Sequence, residues 1–99
     1  MKKSKVIKAR NARELANVLG LSSTDAMEIE VRSDLNDKII EAVKKMGLTH
    51  AAVAKLAHTS RTRVTAILNR STKDVSTDLM LRILGALGYR AKLVFSRAA

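Results

Sequence analysis

The sequence has no cysteine, no proline, only four glycines, and one residue each of tyrosine and phenylalanine. Without cysteine, neither a disulfide framework nor a thiolate metal site can form. The lack of proline and scarcity of glycine favour helices over a turn-rich β fold. An aromatic content of 2% argues against the stacking platforms that bind single-stranded nucleic acid. The 99 residues are therefore expected to form a mainly helical protein with one modest core.

Other absences narrow the function. No apolar run approaches the roughly 18 residues of a membrane span, and the lysine-rich start lacks the apolar core of a signal peptide. We therefore expect a cytoplasmic protein. The two histidines have no acidic or thiolate neighbours, so no metal or cofactor is expected. The sequence shows no paired carboxylates, no nucleophile–base set and no glycine loop of the kind that binds phosphate. Enzymatic activity is therefore not expected.

The charge is strongly positive and segregated along the chain. The formal net charge is +10, with +6 in residues 1–13, −5 in residues 14–41 and +7 in residues 42–73, a segment without any acid. Such a balance favours a polyanionic partner, and the segregation indicates one basic face rather than uniform basicity.

The pattern predicts four to five helices and one strand, with residues 1–10 as a basic arm and residues 11–99 as a single domain. Asn11 caps a short helix to Gly20, and Ser22 begins a long helix to Met46. Residues 28–31 alternate like a strand, but the longer helical period prevails. The apolar stripe of the long helix, predicted to face the core, is Met27, Val31, Leu35, Ile39 and Val43.

Three shorter helices follow, each preceded by a capping residue. The caps are Thr49, Ser60 and Ser76, and Gly47 and Gly88 act as stops. Residues 89–97 alternate in part and predict a terminal strand. Because a lone strand leaves its backbone unpaired, it needs a partner: either residues 5–8 or its symmetry mate in a dimer.

Residues 49–69 resemble the helix-turn-helix motif of the XRE and Cro-like regulators. The resemblance rests on Ala54, where two helices would cross, and on Val64 and Ile67, which would lock the second helix onto the first. The chain departs from the family's habit at His50, where glutamine is usual, and in the turn. There His58 replaces glycine at a position that can require positive φ, and Thr59 replaces an aliphatic residue.

The resemblance implies DNA contacts by the second motif helix, which would enter the major groove. The residues expected to contact bases are Arg61, Thr62, Thr65, Arg63 and Ala66. Those expected to contact phosphates are Thr49, His50, Ser60, Asn69, Arg70 and Lys73. His58 is interpreted as a turn residue rather than a ligand. The basic residues 1–13 are either a solvated tail or an arm that adds phosphate affinity.

The order of elements over residues 11–97 is similar to that of small antitoxins of the HigA type. The motif and its expected DNA contacts imply a nucleoid-associated, sequence-specific double-stranded DNA-binding regulator, a dimeric repressor of its own operon on a palindromic operator. The alternative is an antitoxin that mainly neutralises a small ribonuclease toxin, with autorepression secondary. A third interpretation, generic DNA condensation, predicts no sequence preference.

Overall fold

The structure, a computed structural model, describes residues 23–97, with side chains from residue 25. These residues form four α-helices: α1 is Ser23–Met46, α2 is His50–Leu56, α3 is Arg61–Leu68 and α4 is Thr77–Ala86. From residue 35 onward they belong to one compact unit, whereas residues 23–34 belong to another. The expected all-α architecture is confirmed for the described part of the chain. The predicted arm 1–10, helix 11–20 and cap at Ser22 lie outside it.

The core of the second unit joins the C-terminal part of α1 to α2, α3 and α4. Its largest fully buried side chains come from all four helices. They are Ile39, Val53, Val64, Ile67, Met80 and Ile83. Burying each of these contributes about 1.5–3 kcal/mol relative to exposure, so short helices such as α2 and α3 are held by packing rather than by intrinsic propensity.

The long helix α1 buries only part of its predicted stripe. Leu35, Ile39 and Val43 are buried, but Met27 is 62% and Val31 38% exposed, so the prediction of one continuous core face is wrong. The reason is geometric: with 3.6 residues per turn, each step of four residues rotates by about 40°, and four such steps drift by about 160°. A strict spacing of four residues therefore cannot keep five successive side chains on one core face.

The N-termini of α2, α3 and α4 are capped as the sequence predicted. The side-chain oxygens of Thr49, Ser60 and Ser76 each accept a hydrogen bond at 3.1 Å from a backbone N–H three residues later. Each cap satisfies one of the amides that a helix start leaves unpaired. The first turns of α2 and α3 contain no acid, so nothing on these helices neutralises the positive end of the helix dipole.

All four helices end in the same way, with a residue in left-handed backbone conformation. These residues are Gly47 (φ 65°), His58 (φ 55°), Arg70 (φ 61°) and Gly88 (φ 92°). At each end the left-handed residue donates to the carbonyl three residues back, and the next residue donates to the carbonyl five residues back. This is the Schellman arrangement, which satisfies carbonyls at the end of a helix. The sequence predicted the two glycine stops and the positive φ of His58, but not that of Arg70.

The predicted C-terminal strand does not form, because residues 89–97 have no regular secondary structure. Tyr89 is half-buried against the core, with the Lys38 Nζ atom 5.6 Å from its ring centroid. Beyond it, residues 90–97 are exposed and have no regular secondary structure. A strand requires a neighbouring strand to satisfy its backbone, and residues 35–97 provide none. Residues 5–8, the intramolecular partner considered above, lie outside the described residues.

Candidate nucleic-acid interface

Helices α2 and α3 form a packed helix-turn-helix unit. Ala54 of α2 is 6% exposed, and Val64 and Ile67 of α3 are 2% and 0% exposed. In the turn, the amide of Thr59 donates to the Ala54 carbonyl at 2.9 Å, which the positive φ of His58 makes possible. The three residues that carried the resemblance therefore hold the two helices together, as predicted.

The outward side of α3 carries the predicted base-contacting residues at different depths. Arg61, Thr62 and Arg63 in its first turn are exposed. Thr65 and Ala66 are half-buried, and Ala66 packs partly against the core. The longest and most accessible polar side chains thus lie at the N-terminal half of α3, the half that enters the major groove in proteins with this motif.

Five of the six predicted phosphate-contacting residues fall into two groups. Thr49 and Ser60 are exposed, with side-chain oxygens that accept cap bonds. Asn69, Arg70 and Lys73 are exposed at and beyond the end of α3. The exposed cap positions leave both helix starts open to solvent, where backbone amides can meet an anion.

The side chain of His50 is hydrogen-bonded to Thr65, another residue that is predicted to contact DNA. Its Nδ1 atom lies 2.8 Å from Oγ1 of Thr65, and the bond is partly buried. This side-chain contact connects the start of α2 to the middle of α3. Only the second ring nitrogen, Nε2, is left for any phosphate contact by His50.

Two adjacent α1 residues hold the C-terminal end of α3, and the sequence patterns did not reveal them. Asn36 is 5% exposed, and its Nδ2 atom donates to the Ile67 carbonyl at 2.8 Å. Asp37 Oδ1 lies 2.7 Å from an Arg70 guanidinium nitrogen. The available signal was the helical spacing of Asn36, a polar residue three positions before Ile39 and seven before Val43, which are both buried.

The Asp37–Arg70 pair also modifies the expected charge pattern. Both side chains are more than half exposed, so the pair contributes at most about 1 kcal/mol to stability. It does place one acid of α1 beside a cation that was predicted to contact phosphate. Arg70 must exchange this carboxylate for a phosphate, or share its N–H groups between them, in order to make that contact.

Arg63 faces a shallow depression between the start of α3 and the start of α4. The depression is also lined by Asp74, Asp78 and Arg82, so its formal charges balance. Arg82 was not among the predicted contacts, although it lies on the same depression as Arg63. Because both acids lie there too, this surface is less suited to a phosphate than the surface around Arg61 and Thr62.

Neither of two other kinds of site occurs in the described part of the chain. No group of three or more histidine or acidic side chains could hold a metal ion there. Among residues 23–97, no helix combines the length and apolarity needed to cross a lipid bilayer.

The fold and the exposed second helix define a helix-turn-helix protein. A family model described as a helix-turn-helix domain matches residues 17–96, which is most of the chain. The chain belongs to this helix-turn-helix family, and DNA binding is the activity that membership supports. Searches of curated proteins and of solved structures gave no match.

Proposed function

We propose that this protein is a sequence-specific double-stranded DNA-binding regulator of the XRE type that inserts α3 into the major groove. The observation that carries the proposal is the exposed first turn of α3, with Arg61, Thr62 and Arg63, on a helix that buries Val64 and Ile67 on its opposite side. Arg61 can recognise guanine through its two-pronged guanidinium, and Thr62 can bond a base edge or touch a thymine methyl group.

The charge around α3 supports the same proposal. Residues 42–73 contain seven basic residues and no acid. Asn69 and Lys73 extend this basic surface past the end of α3, at positions suited to the DNA backbone. These contacts supply affinity without reading sequence, whereas the first turn of α3 supplies the preference for particular base pairs.

We further propose that the regulator acts as a dimer and represses its own operon by occluding the promoter. A single motif buries little surface, so tight specific binding requires two half-sites about one helical turn apart. The exposed segment of Leu93, Val94 and Phe95 favours a protein partner, since these side chains are 72%, 84% and 88% exposed. Pairing of this segment with a second copy as a two-stranded ribbon would satisfy its backbone hydrogen bonds and cover part of its apolar surface.

The second candidate is an antitoxin, for which the same apolar segment would be the observation in favour. A small toxin enzyme, rather than a second copy, would then cover Leu93, Val94 and Phe95. The two candidates differ in solution: the regulator forms a homodimer alone, whereas an antitoxin that uses this segment for its toxin requires the product of a neighbouring gene to bury it.

The test is selection of bound fragments from a pool of random double-stranded DNA, followed by measurement of the complex mass on the enriched sequence. We expect one enriched sequence with two related half-sites and a complex that contains two chains. Bound fragments that share no common sequence would contradict the proposal and support generic DNA condensation. One chain on a single half-site would contradict the dimer.

A further inference from the structure

One side-chain hydrogen bond joins the two motif helices on the side of the proposed DNA contacts. His50 is the first residue of α2, and its Nδ1 atom lies 2.8 Å from Oγ1 of Thr65, which is 15 positions later in α3. Thr65 is half-buried and comes one helical turn after Arg61 and Thr62. The bond to its hydroxyl therefore constrains what Thr65 can offer to a base.

The polarity that Thr65 presents depends on which nitrogen of His50 carries the proton. A neutral imidazole has one N–H group and one bare nitrogen. If Nδ1 is bare, it accepts the Thr65 O–H, and Oγ1 can then only accept a hydrogen bond from DNA. If Nδ1 carries the hydrogen, it donates to Oγ1, and the Thr65 hydroxyl stays free to donate.

A DNA phosphate beside His50 would select between these two forms. Residues 42–73, which include the first turn of α2, contain no acid. When the imidazole is neutral, a phosphate near Nε2 favours the tautomer with its hydrogen on Nε2, because a bare nitrogen would turn its lone pair toward the anion. Nδ1 is then bare, and it takes the hydrogen of Thr65.

Given the proposed function, we infer that His50 is a positioning residue that fixes the Thr65 hydroxyl as a hydrogen-bond acceptor. The group that Thr65 reads is then an exocyclic amino group in the major groove, N6 of adenine or N4 of cytosine. Contact with the DNA backbone and readout of one base pair are thereby coupled through one imidazole ring. The His50–Thr65 bond is the observation that carries this inference.

The test first locates the base pair and then removes single groups from it. Random-pool selections at about pH 8, where imidazole groups ordinarily carry no charge, are compared for the wild type and Thr65→Val. Thr65→Val should lose the preference at one base pair, and Thr65→Ser, the matched control, should keep it. The bases at that pair are then replaced by analogues that lack either the exocyclic amino group or the purine N7 acceptor.

We expect removal of the amino group to weaken wild-type binding about tenfold, the value of one good hydrogen bond, and removal of N7 to have no effect. His50→Phe, which keeps a ring without nitrogens, should bind both analogues equally well. Equal amino-group dependence in His50→Phe and the wild type would overturn the role of His50. Loss of binding on removal of N7, but not of the amino group, would overturn the acceptor polarity.

A second measurement uses only the wild-type protein, so it does not require any variant to fold. Nitrogen NMR of the wild-type protein on its selected DNA reports directly which His50 ring nitrogen carries hydrogen. Hydrogen on Nε2 with a bare Nδ1 is the expected result, and hydrogen on Nδ1 contradicts the inference. A pool without any enriched sequence would instead refute the proposed function, so the two failures are distinct.

Discussion

Substitution of the left-handed residues that follow the helices should change the free energy of unfolding in a predictable direction. Gly47 and His58 hold nearly the same backbone conformation, with φ 65° and 55°, but only one of them is glycine. A side chain in left-handed conformation costs roughly 1–2 kcal/mol, whereas glycine adopts it freely. Glycine also adds about 0.4–1 kcal/mol of conformational entropy to the unfolded chain, which offsets part of the gain.

His58→Gly should therefore stabilise the protein by about 0.5–1 kcal/mol, and Gly47→Ala should destabilise it by about as much. At Gly47 an added Cβ atom would meet nothing within 4 Å, so the cost there comes from the backbone alone. Gly85 is the matched control, since it lies within α4, has no positive φ and has equally open space around it. Gly85→Ala should stabilise the helix by about 0.5–1 kcal/mol.

Thermal and urea unfolding followed by far-UV circular dichroism measures these differences. A change of 1 kcal/mol shifts the Tm of a domain of this size by about 4–8 °C, which is easily resolved. Destabilisation by His58→Gly would refute the reasoning, because it would show that the imidazole contributes more than its backbone conformation costs. His58→Gly should also leave DNA affinity unchanged, since His58 is proposed to be a turn residue.

Two further changes test the contacts that hold α3, and a third tests the C-terminal segment. Asn36→Ala should lower the free energy of unfolding by about 1–3 kcal/mol, because it removes a buried hydrogen bond and leaves a small cavity; urea unfolding that shows no change would contradict this. Asp37→Asn should change stability by less than about 1 kcal/mol, since the ion pair is exposed, but it should strengthen binding to random DNA by freeing Arg70, as titrations at low salt would show. Removal of the last residues from Leu93 onward should leave the unfolding temperature of the monomer unchanged and abolish the dimer in sedimentation experiments; a dimer that persists would place the interface elsewhere.

The local signals in the sequence predicted the motif because they depend on neighbours in the chain. The caps Thr49 and Ser60 act on amides three residues away, and the positive φ of His58 follows from its place in the turn. The burial of Val64 and Ile67 follows from their spacing along α3. Such relations require no knowledge of tertiary structure.

The contacts that sequence reasoning missed are those between distant residues. The bond from Asn36 to Ile67 spans 31 residues, and no periodic pattern contains it. The i, i+4 pattern also overextended the core face of α1 to Met27, because the pattern ignores the accumulated rotation of the helix. The predicted C-terminal strand requires a neighbouring strand, and residues 23–97 contain none.

The central claim is that the first turn of α3 reads base pairs, and Arg61 tests it most directly. The measurement is the ratio of the Kd on random DNA to the Kd on the selected sequence, for the wild type, Arg61→Ala and Lys73→Ala at one salt concentration. Lys73 is the matched control, because it is also an exposed cation but lies beyond the end of α3. Arg61→Ala should lower the ratio about tenfold or more, the value of a two-pronged contact to guanine.

Lys73→Ala should weaken binding to both DNAs alike and reduce the salt dependence by about one phosphate contact, with the ratio unchanged. An equal loss on both DNAs for Arg61→Ala, with an unchanged ratio, would contradict the claim that α3 reads the sequence.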